Sequence, residues 1–228
     1  MKPAFIWATL AVTTLSACAQ TQKTDIKMNE SKPIAAADKT ATKPSDPSKY
    51  DTATFANGCF WCTEAVFEEL DGVISAESGY TGGQTENPDY KTVSTGQTGH
   101  AEALQIVYDP AKITFDELLE VFWQTHDPTT LNRQGADVGT QYRSGIFYHN
   151  DEQKQKAEKY KEELNKSGAF NNPIVTEITP YSKFYVAEDY HQQYYENNGN
   201  SNPYCRIVIQ PKLEKFRKVF KDKLKKDH

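Results

Sequence analysis

At 228 residues, with 37% hydrophobic and 12% aromatic content, the chain is long enough for one sizeable globular domain and a tail, and nothing requires two cores. A formal net charge of -5 gives no bulk-charge argument for a nucleic-acid partner or a strongly acidic surface, and no nucleic acid is expected.

The chain opens "MKPAFIWATLAVTTLSAC": one charge at Lys2, an apolar stretch from Ala4 to Val12, then small residues before Cys18. That is the layout of a secretory signal, and its apolar part is too short to span a bilayer. "LSAC" resembles the lipobox of bacterial lipoproteins, which implies a signal peptide over 1–17 and a lipid on Cys18. Residues 18–50 are rich in Lys, Thr, Ala, Pro and Ser and lack the apolar surface to order themselves, so they read as a disordered tether. Ala19 after the lipid cysteine leans toward the outer membrane. If Cys18 carries lipid, Cys59, Cys62 and Cys205 remain in an exported protein, and an odd number leaves at least one thiol outside any static bridge.

After the tether, "TATFA" (52–56) is a short strand. Cys59, Cys62, Val66 and Leu70 then recur at helical spacing up to Gly72. "VISAESGY" (73–80) and "HAEALQIVYD" (100–109) are strands on either side of a Gly- and Pro-marked loop. Thr114 and Glu117 form a capping box before an amphipathic helix, and a long loop leads to the strand "GIFYH" (145–149). Asn150 caps a charged helix that Gly168 stops. Strand, helix, strand, strand, helix, strand is the split βαβ order, so the expected fold is α+β: a ferredoxin-like, two-layer α/β sandwich with C-terminal extensions. Residues 51–211 form the domain. "PIVTEITP" (173–180) reads as an added strand and "AEDYHQQYYENN" as a short helix. Residues 212–228 form a basic amphipathic helix whose Leu213, Phe216, Phe220 and Leu224 share a face that docks on the domain.

"GCFWC" admits three chemistries. A structural zinc site needs four clustered ligands, and neither Cys205 nor the scattered histidines supply a second pair. A thioredoxin-type dithiol fits poorly with two bulky aromatics between the cysteines. Moreover, i and i+3 side chains on a regular helix stand about 5–6 Å apart at Cβ, where a disulfide wants about 3.8 Å. The third reading makes Cys59 a nucleophile at a helix N-terminus, with Phe60 and Trp61 as an apolar wall. No Lys, Arg or His lies between residues 55 and 70, so its activation must come from the helix dipole or from bound substrate. Alternation places Glu102 on the apolar strand face with Leu104, Ile106 and Tyr108, where a carboxyl could hold its proton and act as an acid, or merely reach water at the sheet edge.

Taken together, "GCFWCTEAVF", "GYTGG", "NPDY", "GHAEA", "DPTTLNRQGADVGTQYRSGIFY" and "AEDYHQQYY" resemble the peptide methionine sulfoxide reductase A family over roughly residues 52–210. The resemblance implies that Cys59 attacks the sulfoxide sulfur and Glu102 protonates its oxygen. It implies that Tyr90 and Tyr142 hydrogen-bond that oxygen, that Phe60 and Trp61 box the methyl group, and that Asp137 belongs to the same pocket. By themselves the tyrosines are two packing residues among thirteen and Asp137 an ordinary turn residue. A second thiol must condense with the Cys59 sulfenic acid; both Cys62 and Cys205 are candidates, with a slight lean to Cys205 because "NNGNSNPYC" looks mobile and polar. His191 and its neighbours are expected to pack and support.

The implied activity is reduction of methionine S-sulfoxide, in proteins and free, with no metal or organic cofactor. The expected partner is a thioredoxin-like dithiol protein of the cell envelope, and the chain is expected to be a monomer. The rival readings are a general thiol–disulfide oxidoreductase and a non-enzymatic structural lipoprotein, neither of which explains Glu102, Tyr90 and Tyr142 together.

Overall fold

The structure, a computed structural model, describes residues 49–226. The expected signal peptide, the expected lipidation at Cys18 and the expected tether as far as residue 48 lie outside these described residues.

Four strands form the centre of one six-stranded sheet: β1 (Asp51–Asn57), β2 (Val73–Thr81), β3 (Ala101–Tyr108) and β6 (Ser144–Tyr148). Their spatial order is β6-β1-β3-β2, each pair antiparallel, as the split βαβ reading requires. β7 (Glu177–Pro180) extends the β6 side in parallel, which the sequence anticipated. β8 (Phe184–Val186) caps the β2 side, which it did not. The two-residue strands β4 (Arg133–Gln134) and β5 (Asp137–Val138) pair as a separate hairpin within the long loop.

One face of the sheet carries α1 (Phe60–Phe67) and α3 (Phe115–Thr125). α3 begins with the expected capping box: Thr114 accepts from Glu117 N at 3.2 Å, and Glu117 accepts from Thr114 N at 2.8 Å. Its apolar stripe meets the sheet around Phe55, whose ring lies 5.1 Å from Phe122, 5.7 Å from Phe67 and 5.9 Å from Phe115. Emptying such a position costs about 3–5 kcal/mol, so this cluster is a main anchor of the helices to the sheet. α4 (Asp151–Ser167) is capped by Asn150, which accepts from Gln153 N at 2.9 Å, and Gly168 ends it at φ +71°. The opposite sheet face has a smaller cluster of Ala56, Ala101, Ala103 and Phe147, covered by Tyr181 and Phe184.

Leu104, Ile106 and Tyr108 join the helix-side core, as the alternation requires. The last helix, α6 (Gln210–Val219), docks as expected, with Leu213 and Phe216 buried and Arg217 paired with Glu69 just beyond α1. It does not run over 212–228, however: it ends at Val219, a 3-10 turn follows at Lys221–Lys223, and Leu224 bridges to Leu70 instead. The expected single helix over "AEDYHQQYYENN" is broken. A 3-10 turn at Asp189–His191 is followed by α5 (Tyr194–Asn198), with Gln193 left-handed at φ +50° between them. The Gln192 side chain is drawn off to Ser78 of β2, bonding both its N–H and its carbonyl, so the chain cannot continue as one helix.

Candidate active site

The site sits where β1 ends, β3 begins and α1 starts. Gly58 joins β1 to α1 at φ +99°, a conformation that suits glycine, and a Cβ there would meet the Gln134 side chain at 2.7 Å. This turn puts Cys59 at the N-cap of α1 with φ -57° and ψ 123°, outside the helix proper. Its carbonyl accepts from Cys62 N at 3.1 Å and Thr63 N at 3.3 Å, while its thiol lies at the positive end of the helix.

Glu102, second residue of β3, reaches the same spot: its Oε2 accepts from Phe60 N at 3.1 Å. The side chain is only 1% exposed. Burial raises its pKa from 4.5 to about 8; the Phe60 N–H opposes the shift, and the charges of Asp137 and Cys62 add to it. Of its two sequence readings, the desolvated one holds. At neutral pH this carboxyl carries a proton.

Cys59, Phe60, Trp61, Tyr90, Glu102, Asp137, Tyr142 and Tyr204 line a cavity of about 210 Å³. All seven residues expected there other than the resolving thiols are present. Tyr90 opens a short helix, α2 (Tyr90–Val93), capped by Asp89, which accepts from Thr92 N at 2.8 Å. Tyr142 ends a 3-10 turn whose N–H donates to Gly139 O at 3.0 Å. Burial raises the pKa of both phenols, with Glu102 adding to it, so both keep their protons as donors. Opposite them, Phe60 is buried against Tyr80 at 5.8 Å, and Trp61 stacks on Tyr194 with ring centroids 3.7 Å apart and planes 8° from parallel. One wall is therefore apolar and the other donates hydrogen bonds.

Cys62, in the first turn of α1, acts electrostatically and by a side-chain hydrogen bond on Cys59. Burial is the main cause pushing the Cys59 pKa up, with Cys62 and Glu102 adding to it. The hydrogen bond from Cys59 brings Cys62 down to about 7, against desolvation and with help from the charge of Lys212. Because Cys59 has left the helical conformation, regular i, i+3 spacing does not separate the two thiols. The polar run before Cys205 is exposed or half-buried, as its composition suggests, but the thiol itself is not. Cys205 is fully buried and begins a π-helical turn, Cys205–Ile209, that runs straight into α6. Ile209, at the end of that turn, is buried as well. All three thiols are free.

Two groups were not singled out from sequence. Tyr204 donates to Asp137 Oδ2 at 2.8 Å and lies 3.8 Å from Cys62 Sγ, bridging the cavity and the second thiol. Its place immediately before Cys205 was the available signal. Glu188 accepts from Tyr90 N and from the Tyr80 hydroxyl, each at 2.9 Å, contacts that nothing local encodes. His191 supports the wall as expected, accepting from Trp61 Nε1 at 3.0 Å. Among the described residues, no group of three or more His, Cys, Asp and Glu side chains is arranged to hold a metal ion.

Residues 51–224 match the family model described as peptide methionine sulfoxide reductase. The chain is 58% identical over 175 residues to peptide methionine sulfoxide reductase MsrA 1 of Rhodopirellula baltica, covering 77% of this chain and 90% of that protein. It is 56% identical over 175 residues to MsrA of Deinococcus radiodurans, covering 77% and 84%. Among solved structures it is similar to reduced Mxr1 from Saccharomyces cerevisiae, with TM-score 0.65, 42% identity and coverage of 69% and 90%. It is also similar to methionine sulfoxide reductase A of Corynebacterium diphtheriae, with TM-score 0.62, 39% identity and coverage of 69% and 79%.

Proposed function

The chain belongs to the peptide methionine sulfoxide reductase A family, and from that premise we propose how its own residues reduce methionine S-sulfoxide, in proteins and free. The supporting observation is a single cavity with a thiol, an apolar wall, and a protonated carboxyl flanked by two phenols. A sulfoxide presents the matching groups: an electrophilic sulfur, a small methyl and a strongly accepting oxygen. A general disulfide exchanger has no use for the acid and the two phenols.

Phe60 and Trp61 take the methyl group, and Tyr90 and Tyr142 donate to the oxygen while Glu102 stands ready to protonate it. Donors matter most where charge changes along the reaction, and the sulfoxide oxygen is that place. Cys59 passes its proton to the Cys62 side of the thiol pair and attacks sulfur. A transient bond joins the two sulfurs as Glu102 protonates the oxygen. The resulting hydroxyl then migrates from the methionine sulfur to the Cys59 sulfur, the S–O and transient S–S bonds to methionine break, methionine leaves, and Cys59 is left as a sulfenic acid. The Cys62 thiol then condenses with it, forming a Cys59–Cys62 disulfide and releasing water. Proximity to Cys59 favours Cys62 for this step; Cys205 acts only after its π-turn opens, receiving the disulfide by exchange with Cys62. An external thioredoxin-like dithiol returns the thiols, becoming a disulfide itself.

The setting follows from the sequence features: a lipid on Cys18, a tether, and a domain facing the envelope, with a thiol protein of that compartment as reductant. Loss of fatty-acid labelling in Cys18→Ala tests the anchor. Cys59→Ser tests the chemistry: it abolishes reduction of the S epimer while leaving the fold intact, and retained turnover would sink the mechanism.

A further inference from the structure

A second opening, outside the catalytic cavity, has no part in the chemistry above. It is a groove of about 710 Å³ between the C-terminal half of α3, the end of α4 and α6, within the size range of small-ligand sites. Its apolar lining comes from Trp123, Leu164, Phe170, Phe216, Val219 and Phe220. Two cations also line it, the half-buried Lys212 and the exposed Lys215, one turn apart on α6. Neither has an ion-pair or hydrogen-bond partner among the described residues. Other cations of this segment do: Arg217 pairs with Glu69 and Lys223 with Glu117.

The remaining polar side chains of the lining are already committed. Thr125 Oγ1 donates to Val121 O at 2.8 Å, and Gln124 Nε2 to Glu120 Oε1 at 3.2 Å. His126 donates from Nδ1 to Phe122 O at 2.7 Å, and its Nε2 meets Ser144 Oγ at 2.8 Å. Burial keeps that imidazole neutral, its pKa lowered to about 4. The Asp127 carboxylate accepts from Thr129 N and Oγ1, while Gln134 Oε1 accepts from Asp127 N and its Nε2 donates to Asp127 O. Besides the lysines, only the buried Trp123 N–H has no partner. A peptide laid here would leave most of its own backbone N–H and C=O groups unpaired, a cost that a hydrocarbon chain does not incur.

We propose that this groove binds a single-chain amphiphile with an anionic head, the chemistry of a free fatty acid: the chain lies along the aromatic lining and the head pairs with Lys212 and Lys215. Positions i and i+3 of a helix lie about 5–6 Å apart at Cβ, so the two ammonium groups can close on one carboxylate. The site is also linked to the thiols. The charge of Lys212 helps to lower the pKa of Cys62, after the larger effect of the hydrogen bond from Cys59. A bound carboxylate offsets that charge, so Cys62 takes the proton of Cys59 only at higher pH. This link, though not the binding, rests on the reading of Cys62 as the acceptor of that proton.

The test uses the full-length protein and decanoate below its micellar range, with 1-decanol as the uncharged control, followed by isothermal titration calorimetry. One decanoate binds per protein. Lys212→Gln and Lys215→Gln each weaken it about threefold to fivefold, the worth of an exposed ion pair, and leave decanol unchanged. Ala169→Trp, which fills the groove from the loop after α4, removes both ligands while keeping wild-type turnover. No binding to folded wild type overturns the inference, as does decanoate binding indifferent to the lysine variants and to Ala169→Trp. Lysine-dependent binding of phosphatidylglycerol vesicles without decanoate binding overturns it in favour of a flat membrane contact. With decanoate bound, the acidic limb of the wild-type single-turnover rate moves to higher pH, and Lys212→Gln shows that position without ligand. An unmoved limb overturns the link. Binding is read as heat, and Cys59→Ser still abolishes turnover if it fails, so the functional reading stands or falls separately.

Discussion

Glu102→Gln pulls activity and stability in opposite directions. The native carboxyl holds its proton up to about pH 8, whereas in the unfolded chain it ionises near 4.5. A group whose folded pKa is raised contributes its stability in full below the unfolded value and loses it as pH climbs through the folded one. Between pH 5 and pH 8 this single group therefore weakens the fold by about 3–4 kcal/mol, at up to about 1.4 kcal/mol per unit and less as the folded pKa is reached. Gln has the same shape and no titration. Urea unfolding of the two proteins at pH 5, 6, 7 and 8 should show the Gln variant gaining on wild type by about that amount across the series. Over the same range its single-turnover rate should lie about 100-fold or more below wild type, the scale of a lost general acid. Wild type should rise to about pH 7, where Cys62 becomes free to take the proton of Cys59, and above about pH 8 fall about tenfold per unit, an alkaline limb absent from the variant. A Gln variant with wild-type rates, or one keeping the alkaline limb, would refute the assignment of the acid.

Cys62→Ser should complete one turnover, more slowly because Cys59 loses its proton acceptor, and then stop, with one methionine released per protein, whereas Cys205→Ser should still form the Cys59–Cys62 disulfide; quantifying methionine and mapping the trapped bond distinguishes them. Tyr142→Phe and Tyr90→Phe should each lower kcat/KM about fivefold to tenfold, the worth of one hydrogen bond of about 1 kcal/mol, and the double variant should lose more than either, read by steady-state kinetics. Gly58→Ala, at φ +99° and against the Gln134 side chain, should destabilise the protein by about 1–3 kcal/mol and slow single-turnover reduction, because it moves Cys59.

The fold was legible where local chemistry and tertiary structure agree. The capping box at Thr114, the Asn150 cap and the alternation through Leu104, Ile106 and Tyr108 each produced the expected element. The cavity was legible because its residues lie in short, distinctive motifs, and periodicity alone already put Glu102 on the apolar face. What escaped was decided by contacts distant in sequence. Gln192 reaching Ser78 splits one expected helix into two, and the bonds of Glu188 to Tyr80 and Tyr90 span about a hundred residues. The polar run before Cys205 is exposed or half-buried as its composition suggests, but nothing in that run signals that Cys205 and Ile209 themselves are buried. Cys59 looked like a helical residue by spacing, while the turn at Gly58 sets it just outside, beside Cys62.

The central claim is that Cys59 takes the sulfoxide oxygen. A Cys62→Ser, Cys205→Ser double variant, given one equivalent of methionine S-sulfoxide labelled with heavy oxygen, cannot discharge the intermediate. Mass spectrometry of its digest should find one labelled oxygen on the peptide bearing Cys59 and one released methionine per protein. Methionine released with no label on that peptide would contradict the account.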